Sequence, residues 1–124
     1  MDAEKHVDNL EVIQSPGTRA AYFHLLLAAE RAGLRSSCNT GFVRAVRLHD
    51  SRDRYLFSWI VNLGHLLFYL RLPALAVAEH LSKEAQARFP VTNVNPGGET
   101  TIRIESLQDA TELAEWLLPQ LPLP

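Results

Sequence analysis

Between Tyr55 and Arg71 the chain reads Tyr-Leu-Phe-Ser-Trp-Ile-Val-Asn-Leu-Gly-His-Leu-Leu-Phe-Tyr-Leu-Arg, and few folds accommodate that order. Split at Asn62-Leu63-Gly64-His65, it forms two strands whose side chains sort by size and polarity. Val61 then faces Leu66, Trp59 faces Phe68 and Phe57 faces Leu70. Tyr55, Phe57, Trp59, Val61, Leu66, Phe68, Leu70 and Leu72 share one side. Side chains alternate along a strand, and a slip of one residue would mix the faces, so this side is expected to be the core. A polar turn at 50–53 adds a preceding strand, Phe42 to His49. It extends the core side with Phe42, Val46 and Leu48, with Arg44 as the exception near an edge.

The opposite side then carries Val43, Ala45, Arg47 and His49, followed by Arg54, Leu56, Ser58, Ile60 and Asn62. The third strand adds His65, Leu67, Tyr69 and Arg71. Arg47, Leu56 and Arg71 are expected in a row across the three strands. This face is cationic and mildly apolar, and only residues 1–14 remain to cover it.

The flanking segments read as helices and one further hairpin. Ser15 is placed to cap a helix over 16–32, with Pro16 at its first position and Gly33 just past its end. Ala20, Phe23, Leu26 and Leu27 recur within it at helical spacing. Ser36 to Gly41 is a loop by composition. Pro73 opens a second helix with a stripe of Ala74, Val77, Ala78, Leu81, Ala85 and Phe89. Asn95-Pro96-Gly97-Gly98 is a turn between Val91–Val94 and an alternating strand at 99–105. Ser106, followed three residues on by Asp109, starts a last helix that Pro119 stops. The expected fold is α+β: an antiparallel sheet of three or four strands with helices on one face, in the order α-β-β-β-α-β-α. The whole chain, 1–124, reads as one domain, with 1–14 as an N-terminal arm (or short helix) and 119–124 as a Pro-rich extended tail.

Composition narrows the class. With 47% hydrophobic and 21% charged residues the chain is globular. The single Cys38 excludes an internal disulfide framework, and the acidic N-terminus has no apolar signal core, so a cytoplasmic location is expected. Tyr55 to Ala78 is greasy, but Asn62, Gly64, His65, Arg71 and Pro73 interrupt it before it reaches the roughly 18 apolar residues of a membrane span. Net charge is −2, unevenly spread: −3 over residues 1–18, +5 over 19–71 and −4 over 72–124. Ten of the twelve basic residues are Arg, which suits planar recognition of phosphate or carboxylate; GC-rich coding would give the same bias.

No pattern of catalytic residues stands out. His49, Asp50 and Asp53 are close in sequence but read as turn-formers, so no metal site is assigned. His80 and Glu84 lie four apart on a helix with no second pair to answer them. Cys38 lacks a base nearby in sequence, and the histidines are distant. The 95–98 turn precedes a strand where a phosphate loop would open a helix. No cofactor is expected, and the chain reads as a non-enzyme.

From Phe57 onward the Phe-Ser-Trp-Ile-Val-Asn strand and the His65-Leu-Leu-Phe-Tyr-Leu-Arg-Leu-Pro-Ala run resemble the small MmcQ/YjbR-like domains. The Gly98-to-Ser106 strand and the closing Asp109-to-Leu117 helix complete the likeness. It implies a small α+β fold, and such domains are described as DNA-binding or as accessory modules. The last helix here runs into Pro119, where that family commonly closes with Ser-Tyr, and no functional residue is carried over.

The expected function is binding. Nucleic acid or another polyanion is the first expectation, held on the sheet face by Arg47, His49, Arg54, Arg71, Tyr69 and Leu67, with a base stacked on Tyr69. The alternative is a protein-interaction module on the same surface: an inhibitor, an immunity-type factor or a dimeric accessory protein. The third reading has the acidic arm 1–14 packed there, pairing with the arginines.

Overall fold

A computed structural model describes residues 2–124. Two helices, α1 (Ala3–Val12) and α2 (Pro16–Arg31), precede four strands: β1 (Arg35–Asn39), β2 (Ala45–His49), β3 (Tyr55–Val61) and β4 (Leu66–Leu70). Helices α3 (Leu72–Val77) and α4 (His80–Arg88) lead to β5 (Thr92–Val94) and β6 (Thr100–Ile104). Helix α5 (Leu107–Leu117) and one 3₁₀ turn close the chain. All strands pair antiparallel in one sheet, ordered β1-β2-β3-β4-β6-β5.

The fold class is α+β with an antiparallel sheet, but the sheet has six strands, not three or four. Ser36-Ser37-Cys38-Asn39, expected to be a loop, is the edge strand β1. An edge strand needs only one ladder and one buried side chain, here Cys38, so small polar residues suffice. The short β5 is the other edge. Residues 3–12 form a helix, and the second expected helix divides at Ala78, whose backbone (φ −147°, ψ 63°) leaves helical space.

The central hairpin pairs as its alternation requires: Phe57 with Leu70, Trp59 with Phe68, Val61 with Leu66. Trp59 and Phe57 are fully buried, and Phe68 nearly so. Tyr22 of α2 meets Trp59 edge-on, with ring centroids 5.5 Å apart, and Leu113 and Leu117 of α5 line the same core region. Aromatic contacts of this geometry add to the area they bury.

Caps place the two covering helices. Ser15 Oγ accepts from Thr18 N (3.3 Å) and Ser106 Oγ from Asp109 N (3.1 Å), satisfying donors that each first turn leaves open. Thr18 Oγ1 shares its one proton between the Gly64 carbonyl (3.0 Å) and the Glu105 carbonyl (3.1 Å), tying the start of α2 to the β3–β4 turn and the end of β6. A Cβ at Gly17 would stand 3.3 Å from the Glu105 oxygen, so this close approach favours glycine. Gly33 ends α2 at φ +90°.

Several side-chain expectations are corrected. Between β2 and β3 the register shifts: Leu48 pairs with Phe57 and His49 with Tyr55, leaving Leu56 as the extra residue of a β-bulge. A bulge inverts the alternation beyond it. Leu56 therefore enters the core (0% exposed), and Tyr55 turns to the opposite face. The expected Arg47–Leu56–Arg71 row does not form; Arg47 aligns with Ser58 and Tyr69. Phe42 precedes β2 and is fully exposed, and Leu72 is half-exposed at the start of α3. On α2, Tyr22, Leu25, Leu26 and Ala29 turn inward, while Phe23 and Leu27 face solvent. The 119–124 tail folds back and buries Leu123 in the core.

Candidate partner-binding face

Two rows of side chains cross the face of the sheet opposite the core. Asn39, Ala45, Ile60, Leu67 and Arg103 make one; Ser37, Arg47, Ser58, Tyr69, Thr101 and Asn93 make the next. Beyond them Arg35 and His49 approach Tyr55, with Arg71 and Glu99 at the strand ends.

The bulge gives this face its centre. Tyr55 is stacked under the Arg71 guanidinium (3.7 Å from its carbon to the ring centroid), with the Arg47 guanidinium at 5.8 Å and the His49 ring at 5.2 Å. Arg71 Nη1 donates to the Tyr55 carbonyl (2.9 Å), and its Nε lies 3.4 Å from Glu99 Oε2. The Asn95–Gly98 turn sets Glu99, whose N–H donates to Asn95 Oδ1 (2.9 Å). Around these residues Val43, Ala45, Ser58, Ile60 and Tyr69 complete a shallow depression of about 260 Å³. Burial, then the charge of Glu99 and the neighbouring Tyr55, push the Tyr69 hydroxyl above its ordinary value, so it stays protonated and able to donate.

The charge of the face is mostly spent internally. Arg35 pairs with Asp53, Arg71 with Glu99 and Arg103 with Glu105. Among the described residues Arg47 alone of these guanidiniums has no carboxylate partner.

Residues 2–14 border this surface without crossing it: Val12 adjoins Val43 and Ile60 at its margin. Helix α1 lies on the helical side, where His6 Nδ1 and Asn9 Nδ2 both bond the Tyr22 hydroxyl (2.6 and 3.2 Å) and Ile13 is buried. One arginine beside the sheet does meet an acid of the arm: Arg44 pairs with Asp8 at 2.8 Å.

Of the six residues singled out in the sequence, the sheet brings five together: Arg47, His49, Leu67, Tyr69 and Arg71. Arg54 is set apart. It binds Asp50 (2.8 Å) and donates to the carbonyls of Leu123 (3.1 Å) and Pro124 (3.3 Å), holding the terminal segment whose Leu123 enters the core. Burial would raise Asp50, but hydrogen bonds from the Arg54 and Arg52 backbone and the Arg54 side chain outweigh it and lower its pKa. Tyr55, assigned to the core by simple alternation, is the residue that sequence reasoning missed. Its signal is the bulge, which leaves no mark in the hydrophobic pattern.

A second polar cluster is also new. Cys38 Sγ lies 3.4 and 3.5 Å from the two ring nitrogens of His6, 32 residues away in sequence. The arrangement is not that of an activated thiol. Near-equal distances place the sulfur beside the ring and not in line with one nitrogen, and Nδ1 is already committed to Tyr22. Burial, reinforced by Asp2, pushes the thiol up to about 11, while burial lowers His6. A nucleophilic pair needs the opposite charge state, so this cluster fastens α1 to β1 and α2. His80 bonds Gln120 and Glu84 bonds Trp116 Nε1, so neither waits for a metal. Asp50 caps its turn through the N–H groups of Arg52 and Arg54. Among the described residues no three His, Cys, Asp or Glu side chains gather in a metal-binding group. No described helix is long and apolar enough to cross a membrane.

No family model, curated protein or solved structure matches this chain.

Proposed function

We propose that this protein is a non-catalytic binding module whose uncovered sheet face receives a protein partner. The observation that carries the reading is the composition of that face. Val43 is half-exposed, Ile60 and Leu67 are partly exposed, and they adjoin two tyrosines and one uncommitted arginine. Tyr and Arg surrounded by aliphatic side chains typify the centre of a protein interface. Phe42 and Leu63, fully and half-exposed, extend the apolar surface past the end of β3.

A polynucleotide fits less well. Strong binding to phosphates draws on several free cations, and three of the four arginines on or beside the face are paired with acids. The net charge of −2 points the same way.

The test is photo-crosslinking in cells, with a photoreactive phenylalanine analogue at Leu67 and, as control, at the exposed Leu27 of α2. The reading predicts a discrete protein adduct at Leu67 that is absent at Leu27 and lost on Ile60→Asp substitution. A nuclease-sensitive adduct would put nucleic acid on the face. Equal labelling at both positions would contradict a site there.

A further inference from the structure

We infer that the partner anchors itself with a carboxylate on Arg47, and that an aliphatic or aromatic side chain at least about 7 Å away packs on Ile60 and Leu67. The inference rests on the face being a protein-binding surface and deepens it. Arg47 stands in the same row as Ser58 and Tyr69, with no acid of its own. Beside it Arg71 is held on three sides: by the Tyr55 ring, by the Tyr55 carbonyl and by Glu99. The depression therefore carries one uncompensated positive charge.

That charge selects the ligand. A carboxylate matches the planar fork of a guanidinium in two parallel hydrogen bonds and brings a single negative charge. A phosphate near its dianionic form would bring a second charge toward the Glu99 carboxylate, which lines the same depression. The Tyr69 hydroxyl, held in its protonated form, supplies a further donor on the same row. A segment bearing Asp or Glu is thus the complementary occupant.

The spacing follows from the sheet. Ile60 and Leu67 lie in the adjacent row, two residues along each strand from Ser58 and Tyr69. At 3.3–3.4 Å per residue the backbones of the two rows are about 7 Å apart, and the Arg47 guanidinium, which approaches the Tyr55 ring in the row on the other side, sets the acid at least that far from the apolar contact. An extended partner meets it with residues i and i+2; a helical one meets it with i and i+3 or i+4.

The experiment is a selection of displayed short random peptides on the whole protein, repeated on Arg47→Met and Leu67→Asp. Both substitutions are on the surface, and their folding is checked by circular dichroism. Enriched peptides should share an acid at one of those spacings from an apolar residue. For a synthetic representative, Arg47→Met should weaken binding at least about tenfold, and Arg47→Lys by less. Replacing the peptide acid by its amide should cost as much, and combining it with Arg47→Met should add little.

Failure separates into two results. Acid-free peptides that are lost on Leu67→Asp but bind Arg47→Met normally would overturn the carboxylate anchor and leave the binding face standing. Peptides indifferent to Leu67→Asp, or no selected peptide at all, would overturn the face and the anchor with it. A dimer of the protein that dissociates on Leu67→Asp would put a second copy on the face and overturn the foreign segment.

Discussion

The two faces of the central sheet come from the same strands, and both contain aliphatic and aromatic side chains, yet they have different fates. On one face Phe57, Trp59 and Phe68 lie under α2 and α5 with almost no exposure. On the other, Ile60, Leu67, Tyr55 and Tyr69 remain partly exposed, beside arginines that mostly have acid partners. Apolar content alone does not separate the two. What separates them is coverage: all five helices contribute side chains to the core cluster of Phe57, Trp59 and Phe68, and the N-terminal helix is fastened on that side to Tyr22 and Cys38. The covered face should therefore govern stability, and the uncovered face should be nearly free to change without unfolding the protein.

The largest effect expected is from Trp59→Ala. Losing a fully buried ring that touches Tyr22 and Phe68 should cost about 3–5 kcal/mol, lowering Tm by roughly 10 °C or more. Thermal unfolding followed by circular dichroism checks this; a loss under about 1 kcal/mol would break the contrast between the faces.

An intermediate effect belongs to His6, on the covered side. Its pKa is lowered by burial, with Asp2 and Glu30 only partly opposing, so the folded protein refuses a proton that the unfolded chain accepts. Stability should be full above the unfolded value of about 6.5 and fall as pH drops through it. His6→Phe removes the titration and the bond to Tyr22, costing about 1 kcal/mol at neutral pH. Urea unfolding of the two proteins between about pH 7 and pH 5 should show wild type losing stability faster, so that the gap closes. Parallel pH curves would mean that His6 is not held neutral. His65, also lowered by burial, is common to both proteins and drops out of the difference.

The smallest effect on stability should come from Leu67→Asp. Facing Ile60 and Arg103 across its neighbours on the open side, it should cost at most about 1 kcal/mol while removing partner binding. A loss like that of Trp59→Ala would mean that the second face is also a core.

Much of this contrast is legible in the residues themselves. The 57–61 and 66–70 alternation pairs the hairpin correctly because a period of two leaves only one register that buries Phe57, Trp59 and Phe68 together. Ser15 and Ser106 mark helix starts because their hydroxyls are the local acceptors for first-turn donors. Two things lie outside any local pattern. The strand at Arg35–Asn39 is made of residues that prefer loops, and it pairs only because β2 offers an edge. The bulge at Leu56 arises from the β2–β3 ladder, and it alone moves Tyr55 to the site and Leu56 to the core. Arg54 shows a third limit: its partners in the 119–124 segment lie about seventy residues away, beyond the reach of spacing arguments.

The most direct test of an uncovered face is methyl NMR of the free protein with a soluble paramagnetic probe. The methyl signals of Val43, Ile60 and Leu67 should broaden strongly, while those of Val46, Leu66 and Ile102 stay sharp. Equal protection of both sets would mean that the second face is already covered, contradicting the account.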